Sequence, residues 1–324
     1  DERRIEALVE AANYAGKSDN STIAAKALES AGLLQSSITS INSEKTSSAA
    51  ANYIKALAEN NRLDEAKTRL SEVNFTIAEH RAIATAALAK KMAEANQADA
   101  ALNLLNGNQL VTSDRVDNAY YAVAKALATS GNFDQAEQAA SNIANSKDKI
   151  KINAIIKSQR KKAGEKEGAQ STLGAPFFSG LNQQLAALTP AVKAETQIDL
   201  AELFSAHEAL PIDTWIAQAT DANVKDELTA YKALGLAQRG KIEEGSRLMT
   251  KVDDPIRRTF AFRKLAKEVA LHTDRFGFIG DKVDPSIQEL REAVFSATDT
   301  TQVNTLELEK KLGKLVKEKK PGME

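Results

Sequence analysis

A helix-length run of apolar positions, a polar turn and a second apolar run recur along the chain, the pattern of two helices folded back on each other. Three stretches align without a gap at a spacing of 35 residues: Tyr53 to Ala66, Leu88 to Ala101 and Val123 to Ala136. Each begins with an apolar run ending in a large residue (Leu57, Met92, Leu127) and has Asn61, Asn96 or Gly131 four positions on. An Asp follows three later (Asp64, Asp99, Asp134), and an Ala two after that (Ala66, Ala101, Ala136). Asn and Gly tolerate the left-handed backbone that stops a helix. An Asp near the start of the next helix suits its dipole. The Ala is small where the second helix crosses the first, and Leu70 and Leu105 continue the apolar face one turn later.

Weaker copies flank this core. Ala233 to Gly245 repeats the pattern with Gly240 at the turn and Gly245 in the small position, and Ile155 to Gly168 gives a charge-heavy version. Residues 194–207 and 213–221 form another hairpin, broken by Pro211 and carrying Trp215, the only Trp; residues 2–15 and 21–31 form a first one, closed by Gly16 and Asn20. Two stretches interrupt the series. Residues 171–191, with Gly174, Pro176, Gly180 and Pro190, predict a long loop or hinge, and residues 272–286 end the last long helix. From Ile287 the chain predicts a short helix, a Thr-rich gap at 298–305 and a basic terminal helix with Leu308, Leu312, Leu315 and Val316 on one side. The expected organisation is an N-terminal array over 1–170, the hinge at 171–191, C-terminal hairpins over 192–271 and a cap with a basic tail over 272–324.

Composition narrows the class to all-α. The chain has 56 Ala among 324 residues but only 15 Gly and 6 Pro, so it is rich in the best helix former and poor in breakers. With 5% aromatics the core is built from Ala, Leu, Ile and Val, which favours closely approaching helices over one thick core. Its 43 basic and 44 acidic residues leave no global attraction for nucleic acid or anionic lipid.

These hairpins resemble a tetratricopeptide-type helical repeat over roughly residues 45–270, a family with a unit of about 34 residues. Its small, turn and Ala positions fall on Ala89 or Ala124, on Asn61 or Gly131, and on Ala66, Ala101 or Ala136. The family's Trp at the head of the first helix and Pro at the end of the second are missing, with Tyr120 the only large aromatic near the former. The resemblance implies a right-handed superhelix of about seven or eight hairpins, since stacked units bury their faces against neighbours. Pentatricopeptide repeats, which read RNA, have a similar period. That family's Gly and Pro-Asp at the junction are absent here, which makes RNA binding the weaker expectation.

No recognisable chemistry interrupts the pattern. The absence of Cys removes disulfides, thiolate metal sites and thiol nucleophiles. His80, His207 and His272 lie far apart with no partner at ligand spacing, so no metal is expected. Gly277-Phe-Ile-Gly280 is too short for a phosphate loop and lacks its Lys, and no Gly-x-Ser-x-Gly elbow occurs. No cofactor is implied. No apolar window is long enough to span a membrane. The chain opens Asp1-Glu2-Arg3-Arg4 with neither Met nor a signal-peptide core, which predicts a processed or trimmed product. Zero Cys with many Ser, Thr, Asn and Gln fits an exported bacterial protein, though intracellular chains share that look.

One surface signal stands out. Eleven residues before Ala66, Ala101, Ala136 and Gly168 stand Lys55, Lys90, Lys125 and Lys157. In tetratricopeptide arrays, which this resembles, that place faces the concave groove where extended peptides lie. Tyr121 lies one turn before Lys125 on the same face, and Arg160 and Lys161 follow Lys157. Such a basic stripe would receive carboxylates or phosphates on a partner segment, against the plainer view that the first helices need solvated Lys on their outer arc. The adjacent Phe177 and Phe178 are expected to pack rather than bind. The function this predicts is a non-enzymatic scaffold that binds a protein or peptide, with an acidic segment the natural fit. Its alternatives are a helical accessory domain of a larger enzyme, such as a cell-wall lyase, and an RNA-binding repeat.

Overall fold

The computed structural model describes residues 2–17, 21–37, 44–108, 110–164, 173–254, 256–258, 264, 278–279 and 282–283. Among them the chain is all-α: fourteen helices and a further helical turn at 256–258, with one antiparallel pairing of two residues each, β1 (Phe278–Ile279) on β2 (Lys282–Val283). It divides into two compact units, Asp1–Ser171 and Thr172–Glu324. The cap and tail expected after residue 271 lie outside the described residues apart from β1 and β2, as does His272.

The first unit runs α1 (Glu2–Lys17), α2 (Ser21–Ser37), α3 (Glu44–Glu59), α4 (Leu63–Glu72), α5 (Ala78–Glu94), α6 (Ala98–Asn106), α7 (Asp114–Thr129), α8 (Phe133–Ser141) and α9 (Ser146–Gly164). The odd-numbered helices are long and pack in series, α1 on α3, α3 on α5, α5 on α7 and α7 on α9. The shorter α4, α6 and α8 each pack on the long helix before and the one after, and have no comparable packing on one another. Ala supplies much of the contact: Ala66, Ala101 and Ala136 are fully buried at the crossings, as are Ala89 and Ala124.

The second unit runs α10 (Ala175–Ala186), α11 (Pro190–Phe204), α12 (Ile212–Gln218), α13 (Ala222–Gln238) and α14 (Ile242–Met249). The expected loop at 171–191 is therefore largely helical. Pro176 falls in the first turn of α10, where its missing N–H costs nothing, and Phe178, Leu181 and Leu185 at helical spacing are buried. Phe178 lies edge-on to Phe177 and to Phe204 of α11, with centroids 5.0 and 6.1 Å away, so the pair packs. Trp215 of α12 is buried and donates from Nε1 to Asn182 Oδ1 at 2.9 Å.

One turn is built four times. Asn61, Asn96, Gly131 and Gly240 have φ of 62°, 61°, 86° and 84°. In each case the next N–H reaches back to the fifth preceding carbonyl: Arg62 to Leu57 and Asn132 to Leu127 at 2.9 Å, Gln97 to Met92 at 2.8 Å and Lys241 to Leu236 at 2.9 Å. A left-handed residue closed by that bond satisfies the last carbonyls of a helix. At Gly245 the small position is obligatory, since a Cβ there would lie 2.6 Å from the Ala233 carbonyl oxygen.

A second device joins one hairpin to the next. Asp117, buried in the first turns of α7, accepts from the backbone N–H groups of Ala144 and Asn145 at 3.0 and 2.8 Å. Asn145 in turn caps α9, its Oδ1 accepting from Asp148 N–H at 3.2 Å. Shifted by 109 residues, Asp226 of α13 accepts from Asp254 N–H at 2.9 Å, and Asp254 accepts from Arg257 N–H at 2.8 Å as the chain re-enters helix at 256–258. The carboxylates replace water for N–H groups that no helix can satisfy.

Candidate functional site

Each long helix of the first unit is buried on most of its circumference and leaves one line of positions open. On α5 Ala82, Ala84, Thr85, Ala86, Leu88, Ala89, Met92 and Ala93 are buried, while Ile83, Ala87, Lys90 and Glu94 form the open line. The same line is Ser48, Asn52, Lys55 and Glu59 on α3, and Asn118, Ala122, Lys125 and Thr129 on α7. The structure therefore brings Lys55, Lys90 and Lys125 onto equivalent open faces of helices packed in series.

On α9 the register differs from expectation. Exposure keeps the 35-residue period, with Asn153, Lys157, Arg160 and Gly164 in place of Asn118, Ala122, Lys125 and Thr129. The position equivalent to Lys125 is thus Arg160, and Lys157 lies on the same open line one turn earlier. Aligning the weak copy through Gly168 misplaces it, because α9 begins further ahead of this line than α7 does and runs unbroken to Gly164.

Their electrostatics also separate them. Lys55 Nζ is 3.7 Å from Glu59 Oε1. Glu94 is taken by Lys91, Nζ to Oε2 at 2.7 Å, rather than by Lys90. Lys90, Lys125 and Lys157 are exposed and have no ion pair among the described residues. Arg160 instead braces α9 to α8, its Nη2 at 2.9 Å from Asp134 Oδ1 and 3.4 Å from Glu137 Oε1, with the guanidinium carbon 5.5 Å from the Phe133 ring centroid. Arg160, expected beside the lysine ladder, lies on the open line but is ion-paired with Asp134 at the start of α8. Tyr121 is half-buried with Lys151 Nζ 5.8 Å from its ring centroid, and Lys161 is exposed at the end of the line.

The second unit carries a different feature on the corresponding face of α13. A cavity of about 400 Å³ is lined there by Glu227, Ala230, Tyr231 and Leu234, together with Asp254, Ile256, Arg257 and Lys264. Lys264 donates to Glu202 Oε1 at 2.8 Å and to the Tyr231 hydroxyl at 3.2 Å, with Nζ 4.8 Å from the ring centroid. Burial works to lower the Lys264 pKa, but its bonds to Glu202 and Tyr231 outweigh it and hold the ammonium above its ordinary range. Burial also pushes the Tyr231 hydroxyl up. Arg257 Nη1 donates to Asn223 Oδ1 at 2.7 Å and Asp254 Oδ2 at 3.2 Å. The Arg257 backbone N–H first, and then the Ile256 backbone N–H and the Arg257 guanidinium, outweigh burial and hold Asp254 below the usual carboxylate range. Each cation in the wall is matched by a carboxylate, and Ile256 is 80% exposed at the rim. Neither hydropathy nor the repeat pattern reveals this cavity. The shift that superimposes Gly131 on Gly240 shows only that Tyr231 and Leu234 stand where α7 has Ala122 and Lys125.

His207 is structural: Nδ1 accepts from Leu173 N–H at 3.3 Å and the ring lies 6.0 Å from Phe204. No group of three or more metal-ligating side chains occurs among the described residues, and no helix among them is long and apolar enough to cross a membrane. In comparisons with protein-family models, curated proteins and solved structures, the chain matches none.

Proposed function

We propose that this chain is a non-enzymatic interaction scaffold, a tetratricopeptide-like right-handed superhelix whose first unit receives an acidic protein segment across the open faces of α5, α7 and α9. The observation that carries this reading is the set of three exposed lysines without ion pairs, Lys90, Lys125 and Lys157, one on each of three helices packed in series. Helix packing supports it. The long helices pack on one another far more than the short ones do, an arrangement that in a stack of hairpins places the narrow edge along the long helices and would turn their open lines toward the inside of a superhelix. A cation on such a face costs the fold little and contributes more to a charge-assisted contact.

The test is capture of partners by the full chain followed by amine-reactive cross-linking and mass spectrometry. Cross-links should concentrate on Lys90, Lys125 and Lys157. The double variant Lys90→Glu, Lys125→Glu should weaken capture by about 1–3 kcal/mol in total, with helicity by circular dichroism unchanged. Cross-links that map elsewhere, or a double variant that binds every recovered partner as well as the parent, remove the reading.

A further inference from the structure

We infer that the acidic segment binds in the polyproline II conformation with a carboxylate at every third residue, running obliquely over Lys90, Lys125 and Lys157. This rests on the scaffold reading and adds to it a register and a backbone conformation. Lys90 and Lys125 occupy the same position in two helices packed side by side. Their side chains therefore start one interhelix spacing apart, about 8–10 Å. Lys157 is three residues short of the equivalent position, a shift of about 4–5 Å along α9 at about 1.5 Å per residue, so it stands about 9–11 Å from Lys125.

The ladder thus asks for anions on one side of a chain at intervals of about 10 Å. A β-strand fits poorly, since positions on the same side repeat every second residue at about 6.6 Å and residues three apart point to opposite sides. Polyproline II has three residues per turn and rises about 3.1 Å per residue, which returns a side chain to the same side every 9 Å or so. An α-helix also returns near that interval after seven residues, but an amphipathic helix docks by burying an apolar face. The open line offers Ser48, Asn52, Ala87, Asn118 and Ala122, with Ile83 its one large apolar residue on α3, α5 and α7. Polyproline II keeps its backbone solvated and needs no such face. Single-stranded RNA needs aromatic platforms for its bases. Tyr121, the aromatic beside this line, is half-buried and already faces Lys151.

The experiment is fluorescence anisotropy with the full chain at low salt, where surface charges are least screened. The probes are a labelled peptide of Glu-Pro-Ser repeats, an isomer of identical composition with its Glu residues in one block, a helical peptide with Glu at every seventh position, and oligouridylate. The spaced peptide should bind about tenfold more tightly than the blocked isomer. It should lose that advantage with Lys125→Gln and keep it with Lys193→Gln, a lysine of the second unit. Equal binding of the two isomers overturns the register and leaves the scaffold reading standing. Preference for the helical peptide or for oligouridylate overturns the extended acidic occupant. No binding by any acidic peptide removes both the register and the acidic partner.

Discussion

The hairpin α7–α8 with its entry into α9, and the hairpin α13–α14 with its entry into the helical turn at 256–258, are built on the same frame and finished with different surfaces. Gly131 and Gly240 make the same left-handed turn, and Asp117 and Asp226 hold the N–H of the next cap. Ala136 and Gly245 stand at the same crossing. On the open line Asn118, Ala122 and Lys125 of α7 are replaced by Glu227, Tyr231 and Leu234 of α13. One face thereby presents unmatched positive charge, and the other an apolar cavity whose cations are matched. Few positions, all buried or bonded to backbone, set the frame. The open positions contribute almost nothing to it, which leaves them available for binding.

The largest expected difference between the two hairpins lies at one crossing. A Cβ on Gly235 would fall 1.9 Å from the Ser205 carbonyl oxygen, whereas α7 has Ala126 at the equivalent place. Gly235→Ala should destabilise the second unit by about 2–4 kcal/mol through overpacking against backbone. Ala126→Gly should cost the first unit only about 1 kcal/mol, the helix-propensity difference. Urea titrations followed by Trp215 fluorescence for the second unit and by circular dichroism for both check this, and a Gly235→Ala protein as stable as the parent contradicts the close approach. Next in size are the linking carboxylates. Asp117→Ala strands two backbone donors and Asp226→Ala one, so losses of about 2–3 and 1–2 kcal/mol are expected, with faster amide exchange at Asn145 and Asp254.

What could be read in the sequence follows the same division. Turn residues act within a few positions of themselves, so Asn61, Asn96, Gly131 and Gly240 could be assigned from local pattern. The buried Ala positions were legible because the 35-residue spacing repeats them. Asp117 and Asp226 were not, because their partners lie about 28 positions on and the equivalent residues in the two preceding copies are Ser47 and Ala82. Helix α10 was missed since Gly174, Pro176 and Gly180 read as breakers, while Pro176 sits where a helix accepts it. In the ladder, Lys55, Lys90 and Lys125 were legible by period. The fourth copy was not, because its start and end shift independently, and only the pattern of exposure along α9 distinguishes Lys157 from Arg160.

A final contrast lies between two tyrosines with opposite partners, Tyr53 buried and Tyr231 half-buried. Tyr53 of α3 donates its hydroxyl to Glu65 Oε1 at 3.1 Å, whereas the Tyr231 hydroxyl accepts from the Lys264 ammonium. Burial, then the adjacent Glu65 carboxylate, pushes Tyr53 up to about 12. At Tyr231 burial also raises the pKa, but the Lys264 ammonium opposes it. Since the folded value for Tyr53 lies above the unfolded value of about 10, the unfolded chain loses its proton first as the medium turns alkaline. The contribution of Tyr53 is therefore complete below about pH 10 and is lost as the pH rises through 12, for a total of about 3 kcal/mol. Denaturant titrations at intervals across that window should show the parent losing stability faster than Tyr53→Phe, which has no proton to release. Tyr231→Phe should flatten the curve less, because the ammonium at its hydroxyl stabilises the phenolate that burial disfavours. A parent and a Tyr53→Phe variant with parallel curves would mean that the Tyr53 hydroxyl is solvated rather than held against Glu65.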